Sequence, residues 1–268
     1  MPLFGTPPRI RPYFGYRNTR RLKISGRALR AAEPDWSRSG TFGKLRTVFA
    51  HFASREVPGV VVTLEARCGQ QTVTSTGTTD GEGYVHFDVD LGADWPLPDR
   101  TRWETVTLRW VARGTARDCE AYVLAPGAET RLAIVSDIDD TIVETGAHDL
   151  VRNWRRVLAQ MPGERLPVPG AAEIFGRLGG AVAGDTLSAS ERPFFYVSSS
   201  PWNLFDYLFA FQKAHGLPHG PMFLRDWGFN RATLGRGSHG AHKAAAIGGL
   251  VEFYSDVRFA LIGDSTQA

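Results

Sequence analysis

Asp137-Ile138-Asp139-Asp140-Thr141 places two carboxylates two residues apart, directly after the apolar run Leu132-Ala133-Ile134-Val135-Ser136. Residues i and i+2 of an extended segment project to the same side, so Asp137 and Asp139 are set to face one pocket. Two adjacent carboxylates repel, and burying them is costly unless a cation joins them. A hard divalent ion with oxygen ligands, magnesium above all, suits such a pair. Three further groups follow at the ends of later apolar runs or at a helix start. Ser198 closes the run 193–198 and can donate a hydrogen bond to a phosphoryl oxygen. Lys243 opens a helical segment and offers a positive charge, helped by the helix N-terminal dipole. Asp264 follows the run 257–262 and adds a carboxylate for the metal. A lone Asp-x-Asp is more often a surface turn. Here four elements agree in order and position, which is what separates a site from a coincidence.

Those groups converge only if the elements carrying them form one parallel sheet. After Ala125-Pro126-Gly127-Ala128 the sequence alternates short apolar strands with helical stretches, the grammar of an α/β domain. Strands are predicted at 132–136, 193–198, 222–224 and 257–262. In open α/β sheets, ligands and catalytic groups collect at the carboxyl ends of strands. A helix is predicted after the second strand, with Ser200 as N-cap, Pro201 in its first turn and Gly216 as terminator. Another runs from His242 to about residue 254, weakened by Gly248-Gly249. The roughly 50 residues between Thr141 and Pro193 read as a small helical insert or cap. Before the linker, residues 22–124 read mainly as β. Tyr84-Val85-His86-Phe87-Asp88-Val89 alternates after an Asp80-Gly81-Glu82-Gly83 turn. Strands 105–111 and 119–124 form a hairpin across Arg113-Gly114. Phe42, Leu45, Val48, Phe49 and Phe52 recur at helical spacing and predict a helix over 41–53. Several short strands with turns between them suggest a β-sandwich. The domains expected are 1–127, a basic arm and β-sandwich, and 128–268, a Rossmann-like α/β domain.

Several stretches of the second domain carry a resemblance. They are Ser136-Asp137-Ile138-Asp139-Asp140-Thr141-Ile142, Tyr196-Val197-Ser198-Ser199-Ser200-Pro201-Trp202, Leu224-Arg225-Asp226-Trp227-Gly228, and His242-Lys243 with Ile262-Gly263-Asp264-Ser265-Thr266-Gln267. Together they resemble the haloacid dehalogenase superfamily. Within it they look like the actin-patch-protein type phosphatidate phosphatases and their bacterial relatives, and more distantly the lipins. The likeness covers about residues 131–268. It implies a magnesium-dependent phosphatase with phosphatidate as favoured substrate. Asp137 would be the nucleophile and Asp139 the acid and base, the latter also giving its backbone carbonyl to magnesium. Asp137 and Asp264 would be carboxylate ligands, and Ser198 and Lys243 would hold the phosphoryl oxygens. Arg225 is a candidate anion-binding residue, set against a structural pairing with Asp226. Thr141 steadies the turn after the strand. The superfamily pattern also has an acidic residue a few positions after Asp264, a fifth strand and a closing helix. On that pattern the chain reads as ending early, at Ala268. Two other functions stay open: a phosphatase of a soluble ester, and a non-catalytic phosphatidate-binding module. The presence of Asp139 favours an enzyme.

Composition bounds the rest. The chain has 268 residues, 43% hydrophobic and 22% charged, which sets aside disordered, collagen-like and coiled-coil readings. No run of about 18 apolar residues occurs, so no transmembrane helix is expected. The Pro- and Arg-broken start lacks the apolar core of a signal peptide. A cytoplasmic protein, peripheral to membranes at most, is expected. Cys68 and Cys119 are too few for a disulfide scaffold, although both lie in the first domain and are candidate neighbours. His239 and His242, three apart, lack a third soft ligand for zinc. The net charge of +3 hides an uneven distribution. Between Arg9 and Arg30 stand eight basic residues and no acidic one. Such a segment is either a solvated arm or a surface for an anionic membrane. The phosphatase reading makes a phospholipid the expected partner, and nucleic acid is not expected.

Overall fold

A computed structural model describes residues 6–30, 55–92, 95–138, 141, 167–180, 188–225 and 239–263. They fall into two compact units that divide between Ala128 and Glu129. The helix expected over 41–53 and most of the insert after Thr141 lie outside the described residues.

The first unit is built from β1 (Arg9–Pro12), β2 (Gly15–Arg17), β3 (Arg21–Arg30), β4 (Arg55–Glu56), β5 (Val61–Cys68), β6 (Gln71–Thr78), β7 (Tyr84–Asp90), β8 (Arg102–Ala112) and β9 (Thr115–Ala125). They make one sheet, ordered β1-β3-β2-β9-β8-β5-β6, with β4 and β7 also paired to β3. Pairing is antiparallel except between β2 and β9, so the sheet is mixed. The β8–β9 hairpin turns at Arg113-Gly114, both with positive φ (53° and 75°), as a two-residue turn matched to strand twist requires. Alternation sets the core. Leu22 and Ile24 of β3, Val85, Phe87 and Val89 of β7, Val62 and Leu64 of β5, and Val106, Leu108 and Trp110 of β8 share one buried cluster. The Thr-alternating β6 was not legible in sequence, because its inward positions are only Val73 and small residues.

The basic segment is not a solvated arm. Residues 9–30 form β1, β2 and β3. Arg17 is 1% exposed and forks onto Glu104 through Nε (2.6 Å) and Nη2 (2.8 Å). Its Nη2 also donates to the Pro96 carbonyl at 3.0 Å. Arg27 bonds Glu56 (3.1 Å) and the Glu82 carbonyl (2.9 Å), and lies over the Tyr84 ring. Arg21 and Lys23 both pair with Asp88. The alternation of Leu22-Lys23-Ile24-Ser25-Gly26 reads as β in sequence and is the first half of β3, whereas β1 and β2 before it have no such pattern. The cysteines are both free. Cys119 faces Leu108 on β8, whereas Cys68 ends β5 opposite Gln71, so the candidate pairing does not form. Burial, with Asp118 beside it, pushes the Cys119 thiol up to about 11.

The second unit has β10 (Leu132–Asp137), β11 (Phe194–Pro201), β12 (Met222–Arg225) and β13 (Arg258–Ile262) in the order β12-β11-β10-β13, all parallel. Helices α1 (Ala171–Gly179), α2 (Phe205–Ala214) and α3 (His239–Phe253) accompany them. Almost every residue of β10 and β11 is buried, as expected of strands covered on both faces. Successive residues show it: Phe194 meets Phe175 of α1, and Phe195 meets Tyr254 just after α3. Because neighbours on a strand point to opposite faces, α1 and the end of α3 cover opposite sides. Ser200 is not a helix cap. It belongs to β11, a 3-10 turn at Trp202–Leu204 follows, and α2 starts at Phe205 without a side-chain cap. Gly216 ends the helix with φ 63°.

Candidate active site

The register of the parallel sheet fixes which residues stand side by side. Asp137 pairs with Val197, and Val197 with Phe223, so the three form one row across β10, β11 and β12. On the other side Ser136 pairs with Ile262, which brings Gly263 next to Asp137. A Cβ at Gly263 would lie 3.9 Å from the Asp137 Cβ. The carboxyl ends of β10, β11 and β13 therefore meet at Asp137.

Asp137 is 7% exposed, and both oxygens are engaged. Oδ1 accepts the Ile138 N–H at 2.9 Å. Oδ2 takes the Lys243 ammonium at 2.6 Å, from the first turns of α3. The Ser136 hydroxyl donates to the Asp137 carbonyl at 2.7 Å, fixing the backbone where the strand ends. Ser198 is fully buried, and its Oγ accepts the Ser200 N–H at 2.9 Å. That bond belongs to a register slip: between Val197 and Pro201, β11 carries two more residues than β12 does between Phe223 and Arg225. The slip turns Ser198-Ser199-Ser200 out of the ladder beside Asp137.

Of the residues singled out in sequence, Asp137, Ser198 and Lys243 are thus gathered at one sheet end. Arg225 closes β12 opposite Pro201, and its charge bears on His242. Asp139, Asp140, Asp226, Trp227 and Asp264 lie outside the described residues. Thr141 lies in a turn, with its Oγ1 buried and without a hydrogen-bond partner. No group of three or more His, Cys, Asp or Glu that could hold a metal occurs among the described residues. The donor set in question is all oxygen: the buried Asp137 carboxylate, with Asp139 two residues on and Asp264 directly after Gly263. That set, closed on one side by a cationic Lys243, fits a hard divalent ion.

Sequence reasoning gave His242 no role beyond a zinc pairing. Its imidazole is hydrogen-bonded to the backbone of Phe223, and its Nε2 is buried without a hydrogen-bond partner. Burial holds its pKa below the usual histidine value. Arg225 and Lys243 add to that, and the Phe223 bond opposes it. Its place directly before the helical Lys243 was the available signal. The aromatics after Ser200 mostly pack: Phe205, Tyr207 and Phe211 are buried. Trp202, Phe205, Phe209 and His219 form a run of ring contacts 5.1–6.5 Å apart, with Trp202 and Phe209 partly exposed.

Comparison with known proteins bears on the same stretch. A family model described as "Phosphatidate phosphatase APP1, catalytic domain" matches residues 132–268. The curated phosphatidate phosphatase APP1 of Saccharomyces cerevisiae is 25% identical over 221 residues, which is 81% of this chain and 35% of that protein. The chain thus spans about a third of the length of this relative.

Proposed function

The chain belongs to the APP1-type phosphatidate phosphatase catalytic-domain family, and from that premise we propose that it is a magnesium-dependent phosphatase converting phosphatidate to diacylglycerol. The observation that carries the reading is the buried Asp137 carboxylate held at 2.6 Å by Lys243, at the carboxyl end of the sheet's central strands. We read this unit as a haloacid-dehalogenase-type Rossmann-like domain and the first unit as a β-sandwich.

In this reading an Asp137 oxygen attacks phosphorus, the bond from phosphorus to the glycerol oxygen breaks, and an aspartyl-phosphate forms. Asp139 gives its proton to the leaving alkoxide, releasing diacylglycerol. It then takes a proton from the water that attacks the aspartyl-phosphate, which frees inorganic phosphate and restores both carboxyl groups. Lys243, Ser198 and Arg225 hold the phosphoryl oxygens as charge develops on them. Magnesium would be held by the carboxylates of Asp137 and Asp264 and the backbone carbonyl of Asp139, and would neutralise charge on the phosphoryl group. The ion pair with Lys243 orients the Asp137 carboxylate before substrate arrives. The substrate is a phospholipid, met at an anionic membrane surface for which residues 9–30 are the candidate contact.

The test is phosphate release from a panel of lipid and soluble phosphomonoesters, with and without magnesium. Release from phosphatidate that needs magnesium supports the reading. Release from soluble esters alone would replace the substrate, and binding of phosphatidate without release would replace the enzyme by a binding module.

A further inference from the structure

We propose that His242 joins Lys243 and Arg225 as the wall that receives the phosphoryl group, and that its imidazole is neutral in the empty site and takes up a proton when a tetrahedral dianion binds. The inference rests on the phosphatase reading for the identity of that anion.

The sheet register supplies the geometry. Asp137, Val197 and Phe223 stand in one row, so Phe223 is two strand spacings from Asp137, about 10 Å. His242 is tied to the Phe223 backbone and is therefore anchored at the level of the nucleophile. Its neighbour Lys243 reaches across to the Asp137 carboxylate itself. Ser198 begins the register slip on the strand between them, and Arg225 ends β12 two residues beyond Phe223. A phosphoryl group held by Ser198 and Lys243 thus lies between Asp137 and the edge where His242 and Arg225 stand.

The imidazole is unfinished in this setting. Its Nε2 is buried without a hydrogen-bond partner, whether as acceptor or as donor, and an unmet buried polar atom costs stability. Among the described residues, the charged groups acting on it are Arg225 from β12 and Lys243 from its own helix. Both are cations, so with burial they favour the neutral ring while the site is empty. A dianion reverses the balance: it offsets the two cations and gives a protonated Nε2 an acceptor. Linkage then requires that protonation tighten anion binding by the factor by which the anion favours protonation.

Sulfate is the probe, because it remains a dianion across pH 5–8. The full chain is titrated with it while the His242 ring is followed by NMR, alongside His242→Asn and His242→Gln. Asn can still reach the Phe223 backbone but has nothing at Nε2; Gln can place an amide near Nε2 that does not titrate. Sulfate is expected to raise the His242 pKa by at least about one unit. The wild-type affinity should then gain relative to either variant as pH falls, reaching roughly tenfold per unit of that rise once pH has passed from above the sulfate-bound pKa to below the free one. Sulfate that binds competitively with a phosphate ester, yet leaves His242 titration unmoved, overturns the inference and spares the phosphatase reading. Sulfate that does not bind the wild-type site overturns both. The wild-type NMR titration decides the matter even if a variant fails to fold.

Discussion

The two oxygens of Asp137 are held differently, and a single substitution separates them. Oδ1 accepts a backbone N–H and Oδ2 meets Lys243. Asp137→Asn keeps the first and replaces the second by an amide that cannot form an acyl-phosphate. Turnover should be abolished with the far-UV circular dichroism unchanged; wild-type phosphate release by purified Asp137→Asn would end the mechanism. Asp139→Asn should lose roughly two to four powers of ten in turnover, the usual contribution of general acid–base catalysis. His219 belongs to stability rather than chemistry. It is 8% exposed against Phe209, and burial, with Lys213 nearby, lowers its pKa to about 4. The unfolded chain, with an ordinary value of 6.5, binds the proton first. Stability therefore falls as pH drops from about 6.5 to about 4, by about 3 kcal/mol in all, and the loss levels off below that. His219→Leu should flatten this slope in urea melts taken at each pH. Residues were legible in sequence where a polar group fell at a strand end, as for Asp137 and Ser198, or at a helix start, as for Lys243. His242 was not, since a single histidine beside a lysine has no pattern until β12 is packed against it.

Elements were legible where periodicity was clean and illegible where tertiary pairing overrode local signals. The second-domain strands were read to within a few residues because buried parallel strands are short apolar runs. The Ser-Pro pair at 200–201 mimics a helix start, yet pairing with Arg225 keeps Pro201 in the strand. Strands β1 and β2 were hidden, and the inward arginine of β2 has its partner on distant β8. Arg17 is that residue. Burial raises the Glu104 carboxyl pKa, but the hydrogen bonds and charges of Arg17 and Arg102 outweigh it and hold the group below its usual range. Arg17→Met leaves Glu104 half-paired and the Pro96 carbonyl without its donor, and should cost about 3 kcal/mol by chemical denaturation. A cost under about 1 kcal/mol would mean that water replaces the guanidinium.

At the scale of the whole molecule, the basic segment has less free charge than its composition suggests. Arg17, Arg21, Lys23 and Arg27 have acidic partners within the sheet. Any attraction to anionic vesicles must lean on residues such as the exposed Arg20. Binding to phosphatidate-containing vesicles should weaken as salt shortens the Debye length from about 10 Å at 0.1 M to about 3 Å at 1 M. Arg20→Glu with Arg30→Glu should weaken it further while hydrolysis of a soluble ester is unchanged. Equal vesicle binding by that variant would remove these strands from the membrane contact. No helix among the described residues is long and apolar enough to cross a membrane. The division after Ala128 coincides with the change of sequence grammar at 125–128, because each unit closes its own hydrogen-bonded sheet.

The place of β2 in the first sheet has a consequence in time. It lies between β3 and β9, pairing Gly15 with Val123, about a hundred residues later in the chain. A ribosome adds roughly 5–20 residues per second, so β2 waits on the order of five to twenty seconds for its second neighbour. During that wait one edge of a hydrogen-bonding strand stands open, and closing so long a loop makes the completed sheet slow to form. Nascent chains halted before β9 should accordingly be protease-sensitive at residues 15–17. Protection there should appear only once β9 has cleared the exit tunnel.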